Sequence, residues 1–335
     1  MKRFFTLVLL TVATVTQLWA QDPEFTQFYA NPLYLNPAFA GTAAGPRFAL
    51  NFRNQWPSLS GGSFQTYSAS YDQHFDGLGG GIGAQVYHDR AGDAALSTTY
   101  MSGMYSYHLS IKDATRDYFI VKAGLQVSAF QRSIDFSKLR FGDMIDPKQG
   151  FVRETREKLP NAGGMGSTGI RPDFSAGLMA FTKKYYGGFA VHHIIEPMQS
   201  FFNNPTSRVP RKYTAHLGML LPVDNWKRTP ETFISPNLLV QRQAKFTQVN
   251  IGAYGMKGPF IFGAWYRQTD PNGDALALLV GAKKDAIKIG YSYDLTVSDA
   301  RSAATGSHEV SLIVELKKYN TRNTKKWRKL NCPDF

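Results

Sequence analysis

The sequence predicts an all-β fold: a transmembrane antiparallel up-and-down β-barrel of about fourteen strands. Three observations carry that prediction. Short segments in which apolar and polar residues alternate recur from about residue 47 to residue 319, with no apolar stretch past residue 20 long enough for a spanning helix. Residues 1–20 have the layout of a secretory signal. Charged residues make up 19% of the 335-residue chain, below the roughly 25% of soluble domains, while aromatics reach 14% and glycines number 30.

The signal comes first. Lys2 and Arg3 form a positive start, Phe4 to Val15 is apolar apart from Thr6, Thr11 and Thr14, and the small Ala20 precedes a cut ahead of Gln21. The apolar run is shorter than the ~20 residues that span a bilayer, so removal is expected rather than anchoring. Leu18, three residues before the cut, leaves the cleavage position open, and no Cys lies nearby for lipoprotein processing. Residues 21–46 read as a periplasmic N-terminal segment outside the barrel, because Asn31-Pro32 and Asn36-Pro37 favour turns over regular structure.

From Arg47 the alternation begins. Phe48, Leu50, Phe52 and Trp56 share one face, and Arg47, Asn51, Arg53 and Gln55 share the other, as lipid outside and a polar lumen inside require. Farther on, Phe119, Val121, Ala123, Leu125 and Val127 oppose Lys122, Gln126 and Ser128, and Tyr213, Ala215, Leu217 and Met219 repeat the pattern. Near the end, Ile287, Ile289, Tyr291 and Tyr293 oppose Lys288, Ser292 and Asp294, and Val310, Leu312, Val314 and Leu316 oppose Glu309, Ser311 and Glu315. Strand centres are expected near residues 51, 69, 83, 104, 124, 179, 190, 217, 238, 251, 263, 280, 291 and 313.

Connection lengths give an orientation. Asp76-Gly77, Lys257-Gly258 and Lys284-Asp285 read as tight periplasmic turns, and Arg132–Pro172 and Glu196–Pro210 as long external loops. With an even strand number, both termini are expected in the periplasm. A two-sheet sandwich would alternate similarly. The aromatics at strand ends, Trp56, Tyr87, Tyr107, Tyr185, Tyr186, Trp265 and Tyr266, favour a membrane girdle over a soluble core.

Chemical motifs are weak. His192 and His193 are strand neighbours that should face opposite sides, which argues against a shared metal ion, although His193 with Glu196 forms a conceivable pair. NAGGMGSTGIRP from Asn161 has the glycines of a phosphate cradle without its Lys-Ser or Lys-Thr, and Ser167 misses the nucleophile-elbow spacing because residue 165 is Met. Ser307, His308 and Glu309 alternate in facing, and Asp143, Asp146, Glu154 and Glu157 lack calcium-loop spacing. No enzyme, cofactor or metal site is predicted.

Residues 320–335 read as a basic periplasmic tail. Beyond Leu316 the chain carries seven Lys or Arg against one Asp. Within the tail, Lys325, Lys326, Trp327, Arg328, Lys329, Cys332, Pro333 and Phe335 interleave cationic and apolar side chains, a pattern that combines steering with buried anchors in a docking peptide. Cys332 is the only cysteine, so no internal disulfide forms. The formal charge of +13 in an exported protein points to lipopolysaccharide phosphates, cell-wall polymer or an acidic protein surface rather than nucleic acid.

QDPEFTQFYANPLYLNPAFAGT (21–42), FRNQWP (52–57), FQTYSASYD (64–72), the Gly-rich stretch from Gly77 and the ending Cys332-Pro333-Asp334-Phe335 resemble the PorP/SprF family of type IX secretion system membrane proteins of the Bacteroidetes. The resemblance implies an integral outer-membrane barrel of the secretion or gliding apparatus. Its partners would be periplasmic lipoprotein and ring components and exported cargo with C-terminal sorting domains. On that basis Phe28, Tyr29, Asn31, Pro32, Asn36 and Pro37 join the tail residues as candidate docking positions. A porin or solute-uptake channel is the alternative.

Overall fold

The computed structural model describes residues 21–316, except 60–61, 93–95, 113–117, 147, 157–158, 160–163, 183, 203–206, 225–231, 271–272 and 298–305. Fourteen long strands form the wall: β1 (Arg47–Gln55), β2 (Phe64–Phe75), β3 (Gly80–Ala91), β4 (Leu96–Lys112), β5 (Tyr118–Asp135), β6 (Arg171–Phe181), β7 (Tyr185–His192), β8 (Lys212–Met219), β9 (Thr232–Gln243), β10 (Phe246–Lys257), β11 (Phe260–Thr269), β12 (Gly273–Lys284), β13 (Ile287–Thr296) and β14 (Ser307–Glu315). Each pairs antiparallel with its sequence neighbours. The wall closes where β1 meets β14, Arg47 opposite Glu315 and Gln55 opposite Ser307. All fourteen expected centres fall inside these strands.

Facing follows the alternation. Leu50, Leu125, Leu217, Ile251, Phe262 and Ile289 are exposed on the outer surface, and Arg53, Lys122, Asp294 and Glu309 are buried inside. No helix among the described residues is long and apolar enough to cross a membrane. Strands do the crossing, because a closed barrel satisfies every main-chain donor and acceptor in lipid.

The girdle expectation needs correction at four of its seven aromatics. Tyr107, Tyr185 and Tyr266 face outward, whereas Tyr87, Tyr186 and Trp265 are buried inside. Tyr185-Tyr186 and Trp265-Tyr266 are adjacent pairs, and successive strand residues point to opposite faces, so one of each pair must enter the lumen. Val86 takes the lipid face beside Tyr87. Trp56 lies just past β1 at φ +52°, a turn that brings it to a cavity at one mouth rather than to lipid.

The two mouths differ. One carries the tight turns after β2, β10 and β12, together with the joined ends of β1 and β14, where the Leu316 N–H donates to the Pro46 carbonyl at 2.9 Å. The opposite mouth carries the long connections 136–170 and 193–211. These two connections pack on each other, Phe136 against Phe201 and Phe202, with Arg132 bonded to Gln199.

Candidate functional site

Residues 21–46 lie inside the barrel. Traced back from β1, the chain enters the lumen at the short-turn mouth and rises to the long-connection mouth, a path marked by its contacts. Near the bottom, the Gly41 N–H donates to Asp72, which also pairs with Arg47 at 2.8 Å, and the Ala40 carbonyl accepts from Ser106 and Lys122, each at 2.6 Å. Midway, Asn36 donates to the Leu178 carbonyl and Asn31 to the Ser68 hydroxyl, both at 3.1 Å, while Gln85 donates to Asn31. At the top, the Asp22 N–H donates to Gln243 and its carboxylate meets His193 at 2.8 Å.

Local sequence explains how so short a segment fills the lumen. Pro32 and Pro37 each start a single helical turn, Pro32–Leu35 and Pro37–Phe39, where a missing N–H costs nothing. The Asn36 side chain caps the second turn by accepting from the Ala38 N–H at 2.9 Å. Repeated turning throws apolar side chains to several sides. Phe28, Leu33 and Phe39 accordingly form a buried core with the wall residues Met104, Met179, Leu239, Trp265 and Leu279. Wall glycines admit the plug: a Cβ on Gly124 would come within 2.3 Å of the Ala38 nitrogen, and one on Gly81 within 2.2 Å of the Ala40 oxygen.

Charge is concentrated at one crossing. Arg53 pairs with Asp294 at 2.9 Å and Glu309 at 3.2 Å, and Arg267 with Asp294 at 3.2 Å. The plug completes this cluster. Glu309 accepts the Thr26 and Gln27 N–H groups at 2.6 and 3.0 Å, and the Thr26 hydroxyl meets Asp294 and Arg53. Bare charges in this position would lack solvation, so pairing with main-chain donors is what makes them tolerable.

The upper latch overturns the expected facing of the histidine pair. His192 and His193 are both buried, because His193 sits at φ +55° just beyond β7 and turns inward. It lies between Asp173 at 2.7 Å and Asp22 at 2.8 Å. Burial alone would lower its pKa, but Asp22 and Asp173 outweigh that and raise it to about 10. Asp22 is itself held well below the usual carboxylate range: burial opposes this, and His193 and then Lys212 overcome it. Glu196, the conceivable partner for His193, pairs with Arg211.

These contacts relocate six of the fourteen candidate docking residues. Phe28, Tyr29, Asn31, Pro32, Asn36 and Pro37 are all buried in the lumen and are not a periplasmic surface. Among the described residues, Gln21 lines the long-connection mouth and Leu316 lies at the other. A sequence reading of turns and apolar residues does not distinguish an arm outside a barrel from a segment packed within it. One signal was present. Leu238-Leu239-Val240, Leu278-Leu279-Val280 and Leu312-Ile313-Val314 are apolar on both faces, and an inward Leu239, Leu279 or Ile313 needs an apolar cover. Lys325, Lys326, Trp327, Arg328, Lys329, Cys332, Pro333 and Phe335 lie outside the described residues, as does the signal.

The remaining motifs have local roles. Ser307 and Glu309 face inward while His308 bonds Tyr291 outside, and Asp143 accepts from Thr155 and the Arg156 N–H within its own loop. Above the plug remains a cavity of about 580 Å³ at the long-connection mouth, floored by Gln21–Glu24.

Among solved structures, the chain is similar to the Ralstonia pickettii toluene transporter TbuX (8% identity, 85% of this chain and 93% of that one, TM-score 0.47). It is also similar to the CymD monoaromatic hydrocarbon channel (10%, 87% and 94%, TM-score 0.48) and the Acinetobacter baumannii outer membrane protein Omp33 (8%, 82% and 100%, TM-score 0.44). No curated protein matches the chain by sequence. The family model of the type IX secretion system membrane protein PorP/SprF matches residues 18–314. With nearly the whole barrel and its inner segment inside that match, the chain belongs to the PorP/SprF family of integral outer-membrane proteins of type IX secretion.

Proposed function

We propose that the protein is a non-enzymatic, non-conducting barrel of the type IX secretion or gliding apparatus that supports export or surface attachment of cargo proteins. The observation that carries this reading is the filled lumen in a member of a secretion family: Phe28, Leu33 and Phe39 are packed into the wall, leaving cargo no path through the barrel. The barrel then acts as an anchor. Its long connections 136–170 and 193–211 face outward to cargo, and the basic tail, residues 320–335, docks to periplasmic lipoprotein and ring components. Cargo would carry C-terminal sorting domains.

Two measurements test this together. Affinity purification of the tagged protein from native outer membrane should recover secretion components. Deleting residues 325–335 should leave barrel levels normal while cargo export falls and those components are lost. Unchanged secretion with normal barrel levels would refute the docking role. The porin alternative predicts constitutive current from the intact protein, which a lumen packed with residues 25–42 does not favour.

A further inference from the structure

The cavity above the plug plays no part in that proposal. Its volume, about 580 Å³, falls within the roughly 300–1,000 Å³ of small-ligand sites. Trp56 marks it out. A bulky residue in the left-handed region is a backbone outlier that persists only where its surroundings hold it. Here the Trp56 N–H is bonded to the Gly306 carbonyl at 3.1 Å and the indole packs edge-on against Phe64 at 5.6 Å. The strand alternation would have sent this ring into lipid, and the strained turn sends it to the cavity.

The other lining groups select the ligand chemistry. Glu24 and Asp89 contribute carboxylates, Arg132 a guanidinium and Gln248 a carboxamide, beside the aromatic Phe246. Both signs of charge are present, which disfavours a polyanion, and a hydrocarbon would desolvate these groups without replacing their hydrogen bonds. An extended peptide recognised through its main chain needs a strand edge. Among the described residues the wall offers none, because each of its fourteen strands is paired on both sides. Recognition must therefore run through side chains that read hydroxyls by donating and accepting, with an aromatic ring for an apolar face. We infer that this vestibule binds a neutral oligosaccharide, with Trp56 as the ring platform and Glu24, Asp89, Arg132 and Gln248 reading its hydroxyls.

The inference does not depend on the secretion role. Its test uses the full-length protein in detergent on an array of neutral oligosaccharides, with an array of heptapeptides in parallel and each hit titrated by tryptophan fluorescence. Saturable binding of at least one glycan is expected. Trp56→Gly, which suits the left-handed backbone, and Gln248→Ala should each weaken it by about tenfold, with the heat-modifiable gel mobility of the barrel unchanged. Comparing a free glycan with its lipid-linked form then names the source, the tighter form being the ligand. Absence of saturable glycan binding, capture of peptides alone, or glycan binding untouched by both substitutions would overturn the proposal.

Discussion

Glu309 accepts the main-chain N–H of Thr26 at 2.6 Å, joining the last strand of the barrel to a residue 283 positions earlier in the chain. This bond ties the plug to the seam where β14 meets β1, and Arg53 of β1 meets the same carboxylate at 3.2 Å. Barrel closure and plug docking are thus coupled in one charged cluster.

Removing that carboxylate should be costly. Glu309→Ala strands the Thr26 and Gln27 donors and deprives Arg53 of one partner, all in a buried site. A loss of about 3–5 kcal/mol is expected, read as a lower urea midpoint for the barrel in detergent, with less loss for Glu309→Gln, which keeps an acceptor.

Sterics at the wall give a second expectation. Gly124→Val drives a side chain into Ala38, and overpacking of this kind costs about 1–3 kcal/mol, so the inner segment should become cleavable by protease in the folded barrel. At Gly103, by contrast, an added Cβ would meet no atom within 4 Å beyond its own chain neighbours. Gly103→Ala should therefore leave protection unchanged.

Planar-bilayer recordings probe the plug as a seal. The intact protein should show little current, and deletion of residues 22–44 should produce large stepwise conductance, since a barrel of this size is otherwise wide enough for a channel. Equal currents from both would show that the plug does not close the lumen.

The His193 latch predicts a pH dependence. Its imidazole titrates at about 10 in the folded protein against an ordinary value of 6.5, so the folded state binds the proton more tightly. The stabilisation is complete below about pH 6.5 and is lost as pH rises through about 10. A spin label at Gln21→Cys in a Cys332→Ser background should stay immobile at neutral pH and loosen toward pH 10. His193→Gln should flatten the response.

Much of the wall was legible because lipid enforces a simple rule at Phe48, Leu50 and Ile289, where an outward residue must be apolar whatever its neighbours do. The inward set obeys no such rule. Asp294 and Lys288 read correctly as lumen residues, whereas Trp265, Tyr186 and Leu279 entered a lumen made partly apolar by the plug. Trp56 and His193 escaped the period altogether, since each sits at a positive φ that ends the alternation.

By itself, the sequence determined strand number, the outward belt and the family, all of which follow from local period and short-range motifs. Only the tertiary structure decided that residues 21–46 fill the barrel, that Gln21 and Leu316 lie at opposite mouths, and that Asp22, Asp173 and His193 meet. The physical reason is range. Alternation is set by each residue and its nearest neighbours, whereas the plug is held by pairs such as Thr26 with Glu309, whose affinity for one another exists only once a closed wall has excluded water between them.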